Sequence, residues 1–191
     1  MDRRRLTLSL AAVLAALCLY YRGGLALLPV LLLPVAAHEL SHVLALRLLG
    51  RSITSFRLDA QGFSITYAGG HSYLVDIIST LAGPLGGVVY ALLAERAGRD
   101  WLSQSAGVSL LLSAFNLLPI LPLDGGRVFS ALCAEHRGLY RAVSGVLLAL
   151  LLFGGVALAA WKKSTVPLAA ALWLLLLRND EETLVKSGEI G

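Results

Sequence analysis

The chain has 191 residues, 57% of them hydrophobic and 15% charged, with a net charge of +4 and a mean hydropathy of +0.76. A soluble domain needs more charge than this to cover its surface, so the composition points to an integral membrane protein of several spans. Basic loops beside anionic lipid account for the positive balance, and no basic helix with interleaved aromatics points to nucleic acid.

Six apolar segments follow in chain order: 6–21, 25–49, 72–95, 101–118, 139–161 and 166–178. The first follows Met1-Asp2-Arg3-Arg4-Arg5 and ends in bulky Leu17-Cys18-Leu19-Tyr20-Tyr21. It lacks a small-x-small cleavage site, so it reads as a retained span and not a signal peptide. Cys18 and Cys133 both fall in apolar segments and read as core hydrophobes, not as a disulfide or metal pair. Between the second and third segments, residues 52–68 are too polar to span. Phe56 and Leu58, then Phe63, Ile65 and Tyr67, alternate with period two around the turn Asp59-Ala60-Gln61-Gly62, which predicts a β-hairpin. Such a hairpin either lies on the membrane surface or re-enters it, lining a cavity and offering an edge strand to an extended peptide. The expected fold is therefore an all-α polytopic membrane protein of about six transmembrane helices, with a short membrane-associated β-hairpin between the second and third. The whole of 1–191 reads as one domain with no separate soluble domain.

The second segment carries His38-Glu39-Leu40-Ser41-His42. HExxH on a helix sets two imidazoles at i and i+4 on one face, where both reach one Zn²⁺, with the glutamate one position along as an acid/base for water. Ionisable groups at membrane depth cost about 2.5–3.5 kcal/mol each on the lenient insertion scale, so three together need a reason.

A catalytic zinc site needs a third protein ligand, and His71, Asp76, Asp124 and His136 are candidates by type. Asp124 stands in Asn116-Leu117-Leu118-Pro119-Ile120-Leu121-Pro122-Leu123-Asp124-Gly125-Gly126, where two prolines break the fourth segment. Broken backbone at membrane depth requires an internal cavity. The plainer reading is a Pro/Gly turn at a membrane edge, with Asp124 capping the next helix. Topology favours the first. Ten basic residues on one side (Arg3, Arg4, Arg5, Arg51, Arg57, Arg127, Arg137, Arg141, Arg178, Lys186) against five on the other (Arg22, Arg96, Arg99, Lys162, Lys163) place both termini inside. His38 is then about 18 Å from the inner end of its span and Gly83-Pro84 about 17 Å from the inner end of the next, at 1.5 Å per residue. Asp124 falls in the same half.

His38-Glu-Leu-Ser-His42, Ala82-Gly83-Pro84 and Asn116-x-x-Pro-x-x-Pro-Leu-Asp124-Gly-Gly126 together resemble the site-2 protease family of intramembrane metalloproteases. The size and number of spans are most like the bacterial branch containing the stage IV sporulation protein FB. The resemblance covers roughly 30–130 and implies a catalytic core over about 25–135. It implies His38, His42 and Asp124 as zinc ligands, Glu39 as the catalytic acid/base, Asn116 near the substrate, and Gly83-Pro84 as packing. With the hairpin reading it places Phe63 and Ile65 beside the substrate. Leu85-Gly86-Gly87 departs from a family stretch that often carries Asn. Only a short stretch follows Leu177, so a nucleotide-sensing CBS domain is not expected in this chain.

The expected activity is cleavage of a membrane-tethered protein, such as a sigma-factor precursor or an anti-sigma factor, by zinc-activated water. The expected location is the cell membrane, multi-pass, with the site opening to the cytoplasmic side. The bilayer and a membrane-embedded regulator are the other expected partners. Two different readings use the same residues: a non-catalytic zinc protein or adaptor, which needs no Glu39, and an ion or proton transporter. The transporter reading is opposed by the absence of an internal repeat.

Overall fold

A computed structural model describes residues 27–59, 62–68, 72–162, 168 and 170–175. It divides into two compact units, the first running to Leu117 and the second beginning at Leu118. The first predicted segment, 6–21, lies outside the described residues, as do Cys18 and His71.

The first unit opens with α1, Leu28–Leu48. Pro29 falls in its first turn, where a missing N–H costs nothing. Pro34 lies inside the helix and is buried. The end is set by Gly50 at φ 71, with its N–H on the Arg47 carbonyl at 3.0 Å and the Arg51 N–H on the Leu46 carbonyl at 2.9 Å. That pair of bonds is a Schellman motif, and its left-handed residue favours glycine. Strands β1, Ser52–Asp59, and β2, Gly62–Ala68, follow and pair antiparallel. The register sets Phe56 opposite Ile65 and Leu58 opposite Phe63, with an irregularity between Ile53 and Ser55.

Helix α2, Tyr73–Arg96, carries Pro84 in its interior and ends at Gly98, φ 64. Helix α3, Asp100–Asn116, returns alongside it. Helices α1, α2 and α3 pack against one another. Between α2 and α3 the contact residues are small: Ala91, Ala94 and Ala106 are buried together, with Tyr90 and Leu102 against them. Ser105, Ser109 and Ser113 recur every fourth residue and are also buried. Small and hydroxyl side chains let two backbones approach where apolar burial gives no drive. Ser109 donates to the Gly87 carbonyl at 2.8 Å, and Ser105 shares a hydrogen bond with the Tyr90 hydroxyl at 2.7 Å.

The second unit begins with an irregular stretch containing a cis Leu121–Pro122 bond, then α4, Asp124–Leu132, and α5, Arg137–Lys162. Cys133 is a buried free thiol, as its apolar surroundings predict.

Among the described residues, α1, α2 and α5 are long and apolar enough to cross a membrane. Leucines and aromatics on these helices stand exposed, among them Leu44, Leu92, Phe153 and Trp161. An apolar exterior of this extent suits lipid, not water. The fourth predicted segment, 101–118, is a 17-residue helix that stops at Asn116. The short helix α4 was not among the predicted spans; nine residues with two glycines at its start give too little periodicity to read.

Candidate metal centre

His38 and His42 lie one turn apart in α1, as the motif requires. Their Nε2 atoms are 3.2 Å apart and the rings meet edge to face, with centroids 4.8 Å apart and planes at 82°. Two nitrogens bound at about 2.0–2.1 Å to one tetrahedral Zn²⁺ would be roughly 3.3 Å apart, so the pair fits that ion. His42 Nδ1 lies 2.7 Å from the Ser79 carbonyl of α2. A carbonyl can only accept, so Nδ1 carries the proton in that contact and Nε2 keeps its lone pair for a metal. An outer partner that fixes tautomer and ring orientation is what metal-binding histidines ordinarily have. His38 is buried, while Glu39 and His42 are half-buried.

The space for the rings comes from α2. A Cβ at Gly83 would overlap Nε2 and Cε1 of His42 and come within 2.9 Å of His38 Nε2. One turn on, a Cβ at Gly86 would overlap the Ser41 side chain. Ser41 itself donates to the Ala37 carbonyl at 2.7 Å. Pro84 sits beside Gly83 in the helix interior. The Ser79 carbonyl and the glycine spacing were not singled out in the sequence. Gly-Pro inside an apolar segment is the available sequence signal, and by itself it signals packing.

In the second unit, Asp124 is the first residue of α4 and is buried. Leu123, not Asp124, holds the N-cap position, which corrects the plainer reading of Asp124 as a helix cap. A buried carboxylate needs a cation or hydrogen-bond donors. By donor chemistry Asp124 offers a carboxylate oxygen, a ligand type that Zn²⁺ takes.

The other candidates separate. Asp76 is half-buried in the first turn of α2, and His136 is exposed between α4 and α5. Asn116 ends α3 and turns its amide back to donate to the Leu112 carbonyl at 3.0 Å. Phe63 and Ile65 lie in β2, paired in backbone register with Leu58 and Phe56.

Apolar helices long enough to cross a membrane thus carry an HExxH pair whose nitrogens converge, the combination expected of a membrane metallopeptidase family. The Peptidase M50B-like family model matches residues 9–123, more than half of the chain, and the chain belongs to that family. His38, Glu39, His42 and Asn116 fall inside the match, which ends one residue before Asp124. The zinc metalloprotease Rip3 of Mycobacterium tuberculosis, found in two strains, is 29% identical over 191 residues, covering 84% of this chain. The chain spans about half of that relative's length, 47%. The site-2 protease from Methanocaldococcus jannaschii has the same fold, with a TM-score of 0.65 at 19% identity, covering 88% of this chain and 84% of that one.

Proposed function

We propose that this chain is an intramembrane zinc metalloprotease of the site-2 type, cleaving a membrane-tethered protein within or near its membrane segment. The observation that carries this reading is the histidine pair: two Nε2 atoms 3.2 Å apart, with His42 held through its other nitrogen by the Ser79 carbonyl. In this reading His38, His42 and Asp124 hold the ion and Glu39 is the acid/base. Bound there, Zn²⁺ supplies Lewis acidity and brings the pKa of water to about 7. Glu39 takes a proton from the attacking water and returns it to the leaving amine.

A helical substrate hides its carbonyls in backbone hydrogen bonds, so it must be drawn out before attack. Among the described residues the sheet has two strands, and an extended substrate adds to one of its edges beside Phe63 and Ile65. Asn116, at the end of α3, orients the substrate backbone. In this reading about six helices cross the cell membrane, the site opens to the cytoplasm, and a membrane-embedded regulator controls activity. Sigma-factor precursors and anti-sigma factors are the substrate classes of choice.

Glu39→Gln keeps the ligands and removes the base. Full-length protein should retain its zinc while cleavage of a co-expressed membrane-tethered substrate falls by about 10²–10⁴-fold. Undiminished cleavage by this variant would sink the protease reading and favour an adaptor.

A further inference from the structure

The stretch that leads into Asp124 is poor in backbone donors. Pro119 and Pro122 have none, the Ile120 N–H goes to the Leu118 carbonyl at 2.8 Å, and the Leu123 N–H to the Ile120 carbonyl at 3.0 Å. The Leu121 N–H lies between these turns and is taken by the Tyr140 hydroxyl of α5 at 3.1 Å. One turn along α5, the Ser144 hydroxyl donates to the Pro119 carbonyl at 2.6 Å. Residues 140 and 144 are four apart and share one helix face, so two hydroxyls of α5 grip the stretch on either side of Ile120. Ile120 is wholly buried, and a Cβ at Gly126 would overlap its carbonyl. The Tyr140 ring also lies against Phe129 of α4, centroids 5.8 Å apart. Ser144 is 2% exposed, where a hydroxyl without a partner is costly.

We infer that Tyr140 and Ser144 are positioning residues for Asp124: they fix the backbone from Pro119 to Leu121, and so where α4 starts and where its first side chain is presented. This rests on the reading of Asp124 as the third ligand. Neither residue touches substrate or metal in this account. Their consequence is that α5, a helix long and apolar enough to span a membrane, sets where Asp124 is presented. Any displacement of α5 is transmitted to that ligand through two hydrogen bonds.

The test uses full-length protein in detergent or nanodiscs, comparing Tyr140→Phe, Ser144→Ala, the double variant and Ser144→Thr with wild type. The readouts are the rate of zinc loss to a chelator and the visible absorption of the Co²⁺-substituted protein. The double variant should lose zinc about tenfold faster or more, as is typical when groups that hold a metal ligand in place are removed, and its Co²⁺ spectrum should shift. Ser144→Thr keeps the hydroxyl and should restore wild-type values, and Ser130→Ala, an exposed hydroxyl of α4, should match wild type. Faster unfolding of the Tyr140 and Ser144 variants with zinc-loss rates and Co²⁺ spectra unchanged would overturn the inference, since that marks ordinary packing. Asp124→Asn is measured in parallel. If it leaves zinc content intact, the ligand reading falls. If it lowers zinc while the Tyr140 and Ser144 variants behave as wild type, the positioning inference alone falls.

Discussion

Helix α2 uses the same device on two faces for different ends. Toward α1, Gly83 and Gly86 leave room for His38, Ser41 and His42, and the Ser79 carbonyl reaches His42. Toward α3, Gly87 leaves room for Ser109 and Ser113, and Ala91 and Ala94 pack with Ala106. One face makes space for the histidine pair and Ser41; the other makes space for a neighbouring helix. The difference teaches that a missing side chain in a membrane helix is not by itself a packing signal. What occupies the space decides its role.

Four substitutions test that division, from the strongest effect to the weakest. Gly83→Ala forces His42 away from its place and breaks the bond to Ser79. Zinc affinity should fall at least about tenfold, measured by metal titration, with cleavage falling alongside. Normal zinc affinity in this variant would erase the distinction between the two faces. Gly87→Ala meets the Ser113 hydroxyl and comes within 3.3 Å of Ser109 Oγ. It should cost about 1–3 kcal/mol in unfolding experiments, as overpacking does, with zinc affinity unchanged. Loss of zinc here would show that the two faces act as one. Ser109→Ala removes the bond to the Gly87 carbonyl and should cost about 0.6 kcal/mol, the average for such bonds within a membrane. Ser113→Ala is its control: that hydroxyl is buried with no hydrogen-bond partner among the described residues, so its removal should cost less than that of Ser109. The reverse order would mean that the serine row coheres through Ser113.

Much of this was legible in the sequence because the relevant signals are local. The HExxH spacing predicts the histidine pair, since i and i+4 share a helix face whatever surrounds them. Alternation over 52–68 predicts the two strands, and the runs 25–49, 72–95 and 139–161 predict α1, α2 and α5 within a few residues. Two things were hidden. The Ser79 carbonyl carries no side-chain signature, because any residue at that position offers the same oxygen. The hold of Tyr140 and Ser144 on Pro119 and Leu121 joins residues 19 and 25 positions apart, and no periodicity encodes that. The serine row is legible in the sequence: three hydroxyls at a four-residue spacing in an apolar segment mark a helix contact.

The Ser79 carbonyl has one more consequence. A ring tethered at Nδ1 has already given up its rotational freedom when the helices pack. Metal uptake then carries little ordering entropy, and the empty protein keeps its imidazole aimed. Stripping the ion with a chelator and adding it back should therefore restore the centre without refolding, at a rate governed by how fast the ion reaches it.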